Sequence, residues 1–260
     1  MKIAFFISED YSFTFPLLEK ILPELSQKHQ VAGIILIPDI LIGYTGIKIP
    51  LKYLEIFGII TTVKLIVKKI KDKFRIYQNY LSQKTQFYTF RQMALHNDIT
   101  YLEYSSPNQK EVVDWVKKNQ VDIIIIFIGN ILKKDIIESP RCCIINKHGS
   151  LLPSNRGVLP VFWAMLNEEN MGYSLHKVNE KLDSGDVLYQ KEFKKQNISL
   201  FDWYQKIYSD APVAILTCIE KLENNKNPAA IINTEVIPSY NTLPTRKDVK
   251  KFYKKGLKII

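Results

Sequence analysis

Long apolar runs are missing from this chain, none reaching the roughly 18 residues that a spanning helix needs, so an ordinary transmembrane segment is excluded. A secretory leader is not expected either. The opening M-K-I-A-F-F-I-S-E-D has one basic residue and meets acid at Glu9, which reads as a first strand and implies a cytoplasmic location. Cysteine is scarce. Cys142, Cys143 and Cys218 supply neither a disulfide framework nor a metal spacing, so all three are assigned to the core and no metal is expected. The glycine fingerprint of dinucleotide-binding folds does not follow the first strand, which removes support for NAD or FAD. Acidic residues are also in deficit, 26 against 36 basic ones, for a formal charge of +10. That excess fits RNA, a membrane or an anionic small substrate. It fits equally a surface built mostly from lysine.

What is present is a globular profile, 46% hydrophobic and 24% charged over 260 residues. That length suits one large domain with a small appendage. The spacing predicts a strand over 2–7, a helix over 15–25 and a strand over 31–37 with no hairpin turn between them, the opening of a parallel sheet with right-handed crossovers. The polar turn 8–12 falls beyond the first strand's carboxyl end, where such sheets place ligands. Residues 41–58, with Gly43, Gly46, Pro50 and Gly58, read as an irregular mobile connection. The next run, 59–73, is a lysine-rich amphipathic helix. It reads as a membrane-surface or RNA-facing element, or as a helix that packs its Leu and Ile face on the core and snorkels its lysines into water. The packed arrangement is the expectation. Tyr77 and Tyr80 follow it, and either can stack a base.

Further on, the pattern gives a helix near 90–97, a strand over 99–103, a helix over 111–118 and an almost continuous apolar strand over 121–128. That strand ends in Gly129-Asn130-Ile131-Leu132, where backbone groups beside an apolar pair suit a flat heterocycle. Asn130 as a helix cap is the competing reading. A short helix over 136–140, a helix over 160–166, an alternating strand over 173–178, a strand over 187–193 and a helix from Ser199 to Leu222 complete the core. Asp202 sits in the first turn of that last helix, where an acid is favourable. His176 is read as a partly buried structural histidine. The remainder, 224–260, is a linker, a short strand near Ile231, a loop and a basic helix from about Lys247. The fold class is therefore α/β, a Rossmann-like, mostly parallel sheet flanked by helices with a small C-terminal appendage; the domains expected are 1–223 and 224–260.

The chain is organised around residues 144–157, I-I-N-K-H-G-S-L-L-P-S-N-R-G, a buried strand running out into a polar loop. Asn146 and His148 lie two apart, so in a continuing strand both side chains share a face. Downstream, L-D-S-G-D places Asp183 and Asp186 in a sharp turn able to hold a carboxylate near the imidazole. Taken alone, the Asn-x-His reads either as a satisfied strand end or as catalytic machinery.

The wider string N-K-H-G-S-L-L-P-S-N-R-G, then P-V-F-W-A-M-L-N, then G-Y-S-L-H-K-V-N-E-K-L-D-S-G-D-V-L-Y resembles the formyltransferases that use N10-formyltetrahydrofolate. It is most similar to the bacterial nucleotide-sugar N-formyltransferases. The resemblance implies Asn146, His148 and Asp183 as catalytic residues and Asn130, Ile131 and Leu132 as contacts to the folate; Asp186 is a further folate-binding candidate, with acceptance of loop-shaping backbone N–H bonds as its favoured reading. The resemblance implies Asp10 and Tyr11 as substrate contacts, and Ser8, Tyr77 and Arg156 are further substrate-binding candidates; the 8–12 segment reads equally as a solvated turn, and for Arg156 a structural role pinning the loop is the favoured reading. Lys147 and Asn155 depart from the residues expected of the family at their positions, which bears on nearby substrate contacts.

On this resemblance, the amine of a nucleotide-linked amino sugar attacks the formyl carbon of N10-formyltetrahydrofolate. Asn146 and a protonated His148 would stabilise the developing oxyanion, and Asp183 would orient the imidazole. A neutral amine is already a nucleophile, so no Ser or Cys nucleophile is needed, and Ser150 is a loop hydrogen-bonder. The substrate implied is dTDP-4-amino-4,6-dideoxyglucose, serving surface (lipopolysaccharide O-antigen) polysaccharide. The resemblance also implies a homodimer formed through the tail; no nucleic acid and no stable membrane insertion are expected. The P-S-Y-N-T-L-P-T and D-V-x-x-F of residues 238–252 look like the short tail of the sugar enzymes. The alternatives are a methionyl-tRNA formyltransferase and a formyltetrahydrofolate hydrolase.

Overall fold

The structure, a computed structural model, describes residues 1–225, 229–231 and 236–260. In chain order the elements are β1 (Lys2–Ile7), α1 (Thr14–Lys28), β2 (Gln30–Leu36), β3 (Ile40–Leu41), β4 (Tyr44–Thr45), α2 (Lys48–Phe57), α3 (Ile59–Leu81), α4 (Phe90–His96), β5 (Thr100–Glu103), α5 (Lys110–Lys118) and β6 (Ile123–Phe127). There follow α6 (Lys134–Ile137), β7 (Cys143–His148), β8 (Arg156–Gly157), α7 (Pro160–Leu166), β9 (Met171–Lys177), β10 (Val187–Phe193), α8 (Leu200–Asn224), β11 (Tyr240–Asn241) and α9 (Arg246–Lys254).

Seven strands form one mostly parallel sheet in the order β10-β9-β7-β6-β1-β2-β5, with β10 antiparallel to β9. The expected α/β class is observed. Compact packing divides the chain into Met1–Ile49 with Leu65–Ile145, and Pro50–Lys64 with Asn146–Ile260. This division differs from the one expected at residue 223, and it falls inside β7.

In the first unit, β1 runs parallel to both β2 and β6, with Phe5 opposite Ile34 and Ile125. Ile3 to Ile7 are wholly buried and β6 is buried throughout, as a central strand covered on both faces requires. Helix α1 buries Leu18, Ile21, Leu22 and Leu25, an i, i+3, i+4, i+7 stripe. The chain leaves β1 toward β2 on one side and returns to β6 on the other. This reversal is the crevice where open parallel sheets hold ligands.

In the second unit, α8 opens with a reciprocal capping box between Ser199 and Asp202. Tyr173 of β9 donates its hydroxyl hydrogen to Asp210 of α8 at 2.7 Å, and Lys191 of β10 reaches the same carboxylate at 2.6 Å. The C-terminal residues are woven into this unit rather than standing apart. Phe252 of α9 stacks on Phe162 of α7 at 4.7 Å, and the Leu200 and Phe201 amides donate to the carbonyls of Lys258 and Ile259.

Two local expectations are corrected. Residues 41–58 hold a small β3–β4 hairpin and helix α2, because Ile49, Ile56 and Phe57 have core to bury and positive φ is confined to Ile42, Gly43, Gly46 and Gly58. Helix α3 runs on to Leu81, so Tyr77 and Tyr80 lie within it, and its aliphatic stripe faces solvent instead of the core. The strand expected near Ile231 is represented by one bond from the Ile231 amide to Val187 O; residues 226–228 and 232–235 lie outside the described residues.

Candidate active site

The crevice of the first unit lies beyond the ends of β1 and β6. The Ser8 amide donates to Phe127 O at 3.2 Å, tying the two strand ends together. Asp10 turns its carboxylate inward to accept from the Ser12 and Phe13 amides at 2.9 and 2.7 Å, closing the turn that leads into α1, with Lys69 at 3.9 Å. Tyr11 is buried against Phe15 and Phe90. It donates to Glu9 at 2.9 Å, and Lys73 lies over its ring at 4.3 Å. Asp10 and Tyr11 are thus occupied as structural parts of the turn, whereas Ser8 Oγ is buried with no partner among the described residues. Tyr77 is partly exposed in an aromatic cluster with Tyr80 and Tyr88.

Across the same crevice, the backbone of Gly129 passes so close to Ile40 O that a Cβ has no room. Asn108 clamps the next residues: its amide donates to Ile131 O at 2.9 Å and its oxygen accepts from the Lys133 amide at 2.8 Å. Asn130 does not cap a helix; Lys133 occupies that position before α6. Asn130 Oδ1 is left buried and unpartnered, Leu132 is buried, and Ile131 is 75% exposed. Two orphaned oxygens, Ser8 Oγ and Asn130 Oδ1, therefore flank the reversal point. A buried polar atom without a partner costs about 1–3 kcal/mol, which a ligand donor would relieve.

The second unit carries a tighter cluster. Asn146 and His148 project from one face of β7 toward Asp183, in the turn between β9 and β10. Asn146 Nδ2 lies 3.4 Å from Asp183 Oδ1, and His148 Nδ1 lies 3.6 Å from Oδ2. His176 belongs to this cluster, a correction to its reading as a bystander. Its Nδ1–H donates to Lys177 O at 2.8 Å, and its Nε2 sits 3.2 Å from Asn146 Nδ2 and 3.5 Å from Asp183 Oδ1. Alternation along β9 already gave His176 the face of Ser174; what was missing was that β9 is the neighbour of β7.

Burial alone would raise the Asp183 carboxyl. The His176 and His148 rings when protonated, with the Gly157 amide, which donates to Oδ2 at 2.8 Å, together hold it at about 2. His148 moves the other way from its expected protonated form. Its complete burial outweighs the attraction of Asp183, and its pKa falls below the usual histidine value. Its Nε2–H donates to Asn155 O at 2.8 Å, so in the neutral ring Nδ1 carries the lone pair and faces Asp183.

Asn155 is set by residues far along the chain. Its amide donates to Ser239 Oγ at 2.8 Å, its Oδ1 accepts from Asn241 Nδ2 at 2.7 Å, and its Nδ2 donates to Glu169 at 2.6 Å. Strand β11 pairs with β8 in parallel, Asn241 opposite Gly157. Gly157 has φ +94, and an added Cβ would collide with Asn241 O. Gly157→Ala is expected to lower stability by about 2 kcal/mol or more, read as a shift in the urea midpoint. Gly43→Ala, at φ +77 with open space around it, isolates the backbone strain and should cost less; equal shifts would remove the collision from the account.

Arg156 lies in β8 with Nε buried and unpartnered among the described residues. Asp186 is exposed, 3.7 Å from Lys177 Nζ, and stays outside the cluster. Ser150 donates to Ser154 O at 2.6 Å, as expected of a loop bonder. Lys147 lies over the Tyr208 ring at 3.6 Å. The described residues hold no group of three His, Cys, Asp or Glu that could bind a metal.

A strand-end Asn-x-His facing a carboxylate in a mostly parallel α/β sheet defines the class, and residues 59–207, more than half of the chain, match the formyl transferase family. The chain belongs to that family. It is 30% identical over 148 residues to the methionyl-tRNA formyltransferase of Clostridioides difficile (strain 630), covering 56% of this chain and 48% of that protein. The chain spans about half the length of the curated relatives it matches. Among solved structures, the phosphoribosylglycinamide formyltransferase of Anaplasma phagocytophilum superposes with a TM-score of 0.59 at 15% identity, over 92% of this chain and 98% of that one. A sugar N-formyltransferase from Shewanella sp FDAARGOS_354 superposes with a TM-score of 0.57 at 13% identity, over 93% and 76%. These likenesses establish the fold.

Proposed function

We propose that this chain transfers a formyl group from N10-formyltetrahydrofolate to the primary amine of a nucleotide-linked amino sugar, with dTDP-4-amino-4,6-dideoxyglucose as the favoured acceptor. The observation that carries the transfer is the meeting of Asn146, His148 and Asp183 around one buried carboxylate. The folate supplies an activated formyl carbon. Asn130, Ile131 and Leu132 fit its flat heterocycle, because they offer an unmet acceptor beside an exposed apolar side chain on a clamped loop.

In this reading His148 is a neutral base. When Nδ1 takes the proton lost by the amine, both ring nitrogens already have acceptors waiting, Asn155 O and Asp183 Oδ2. Asn146 holds His176 with one amide hydrogen, and its contact to Asp183 is the longer one, so that second hydrogen is the one to yield to a developing oxyanion. Ser239 and Asn241 act through Asn155 and position the ring. Arg156, with a buried unmet donor, is the residue offered to an anionic group of the acceptor.

The sugar acceptor is supported by the tail segment 238–252, which resembles that of the sugar enzymes and whose Ser239 and Asn241 hold the loop beside the cluster. A tRNA acceptor is the second reading, favoured by the 30% identity to a methionyl-tRNA formyltransferase. The deciding experiment supplies formyltetrahydrofolate with a panel of nucleotide-linked amino sugars, and separately with initiator methionyl-tRNA. Mass spectrometry should find a formamide on an amino sugar, with any tRNA binding weak and lost on adding salt. Formylated tRNA instead would move the acceptor to RNA, and formate released with no amine present would make the protein a hydrolase.

A further inference from the structure

The geometry points to a lipid-facing surface on helix α3: we propose that this helix lies in the plane of an anionic membrane, docking the protein peripherally. The observation is an aliphatic stripe turned the wrong way for a globular fold. Val63, Ile66, Val67, Ile70, Phe74 and Leu81 recur at helical spacing and are all exposed, Ile70 by 62% and Phe74 by 56%. On the opposite side Asp72 and Ile76 are buried, so the helix is anchored by that face and presents the other outward.

Charge decides the occupant. Helix α3 carries Lys64, Lys68, Lys69, Lys71, Lys73 and Arg75 against one acid, Asp72, which is buried and paired with Lys68 at 3.0 Å and Arg75 at 3.4 Å. At 100° per residue the exposed stripe spans roughly 100°, with Lys64 and Lys71 along one border and Lys73, paired with Glu9, along the other. A basic border on both sides of an apolar face is the arrangement that seats a helix among anionic headgroups with its aliphatics in the acyl boundary. Pairing with a second copy would bring these lysine borders together with only Glu9, already paired with Lys73 at 3.3 Å, to meet them. The stripe is also a convex ridge, about 28 Å long at 1.5 Å per residue, and deformable acyl chains accommodate a ridge without a shaped groove. No helix among the described residues is long and apolar enough to cross a membrane, so the association is adsorption and not insertion.

The test is sedimentation of the whole protein with vesicles of phosphatidylglycerol and phosphatidylcholine against vesicles of phosphatidylcholine alone, and it needs no activity. Binding should require the anionic lipid and weaken with salt. Lys64→Gln with Lys71→Gln should lower partitioning about thirtyfold, at roughly fivefold per basic residue. Ile70→Ser with Phe74→Ser, both exposed and so tolerated by the fold, should abolish it while leaving circular dichroism unchanged. Failure to sediment with anionic vesicles would overturn the proposal, as would unchanged binding by either double variant. Self-association in analytical ultracentrifugation that the Ile70/Phe74 variant abolishes, without vesicle binding, would assign the stripe to a second copy instead.

Discussion

His148→Ala is expected to lower turnover by about 10²–10⁴-fold, about 3–5 kcal/mol of transition-state stabilisation, in a formyl-transfer assay with saturating acceptor. The fold should survive, because Asp183 keeps the His176 ring and the Gly157 amide, and Asn146 keeps His176. KM should stay within a few-fold, since the proton accepted by Nδ1 appears only as the reaction proceeds. The wild-type rate should fall on the acid side at a pH below the usual histidine value, because burial depresses the His148 pKa. That limb should vanish in the variant. A variant with near wild-type turnover would remove His148 from the chemistry.

Asp183→Asn carries the second large effect, and it separates charge from shape. Asp183 has φ +48, a left-handed backbone that asparagine adopts as readily as aspartate. The residue loses its charge and not its place, so the imidazolium loses its counter-ion and turnover should drop by about 10²-fold or more. The acid stability should change as well. A carboxyl held at about 2 against an ordinary 3.8 contributes about 2 kcal/mol, fully present above about pH 4 and lost as pH falls toward 2. His148 acts in the same direction over a higher window, since a depressed histidine pKa means that stability declines as pH falls below the ordinary value. Denaturant midpoints measured from pH 7 to pH 2 should therefore show a steeper acid decline in the wild type than in Asp183→Asn. Parallel curves would mean that the carboxylate is not held as the contacts imply.

Much of the frame was legible from local pattern. The continuous apolar strand β6, helix α7 from Pro160 and strand β10 from Val187 follow from periodicity and punctuation that act over a few residues. The α3 stripe was legible as an amphipathic helix, but its direction was not. Periodicity gives two faces and leaves open which of them the rest of the chain covers.

The sequence by itself determined the class of this protein and the type and spacing of its polar centre. Asn146 and His148 share a face because strand geometry has period two, and the motif that carries them runs on through Arg156, Gly157 and Asp183. Only the tertiary structure brought His176 to Asp183, made Asn155 the partner of His148, and threaded Ser239 and Asn241 against them. It also lowered the His148 pKa, through burial. These contacts join residues 7 to 86 positions apart, and burial sums over every neighbour in space; neither leaves a trace at any one position along the chain.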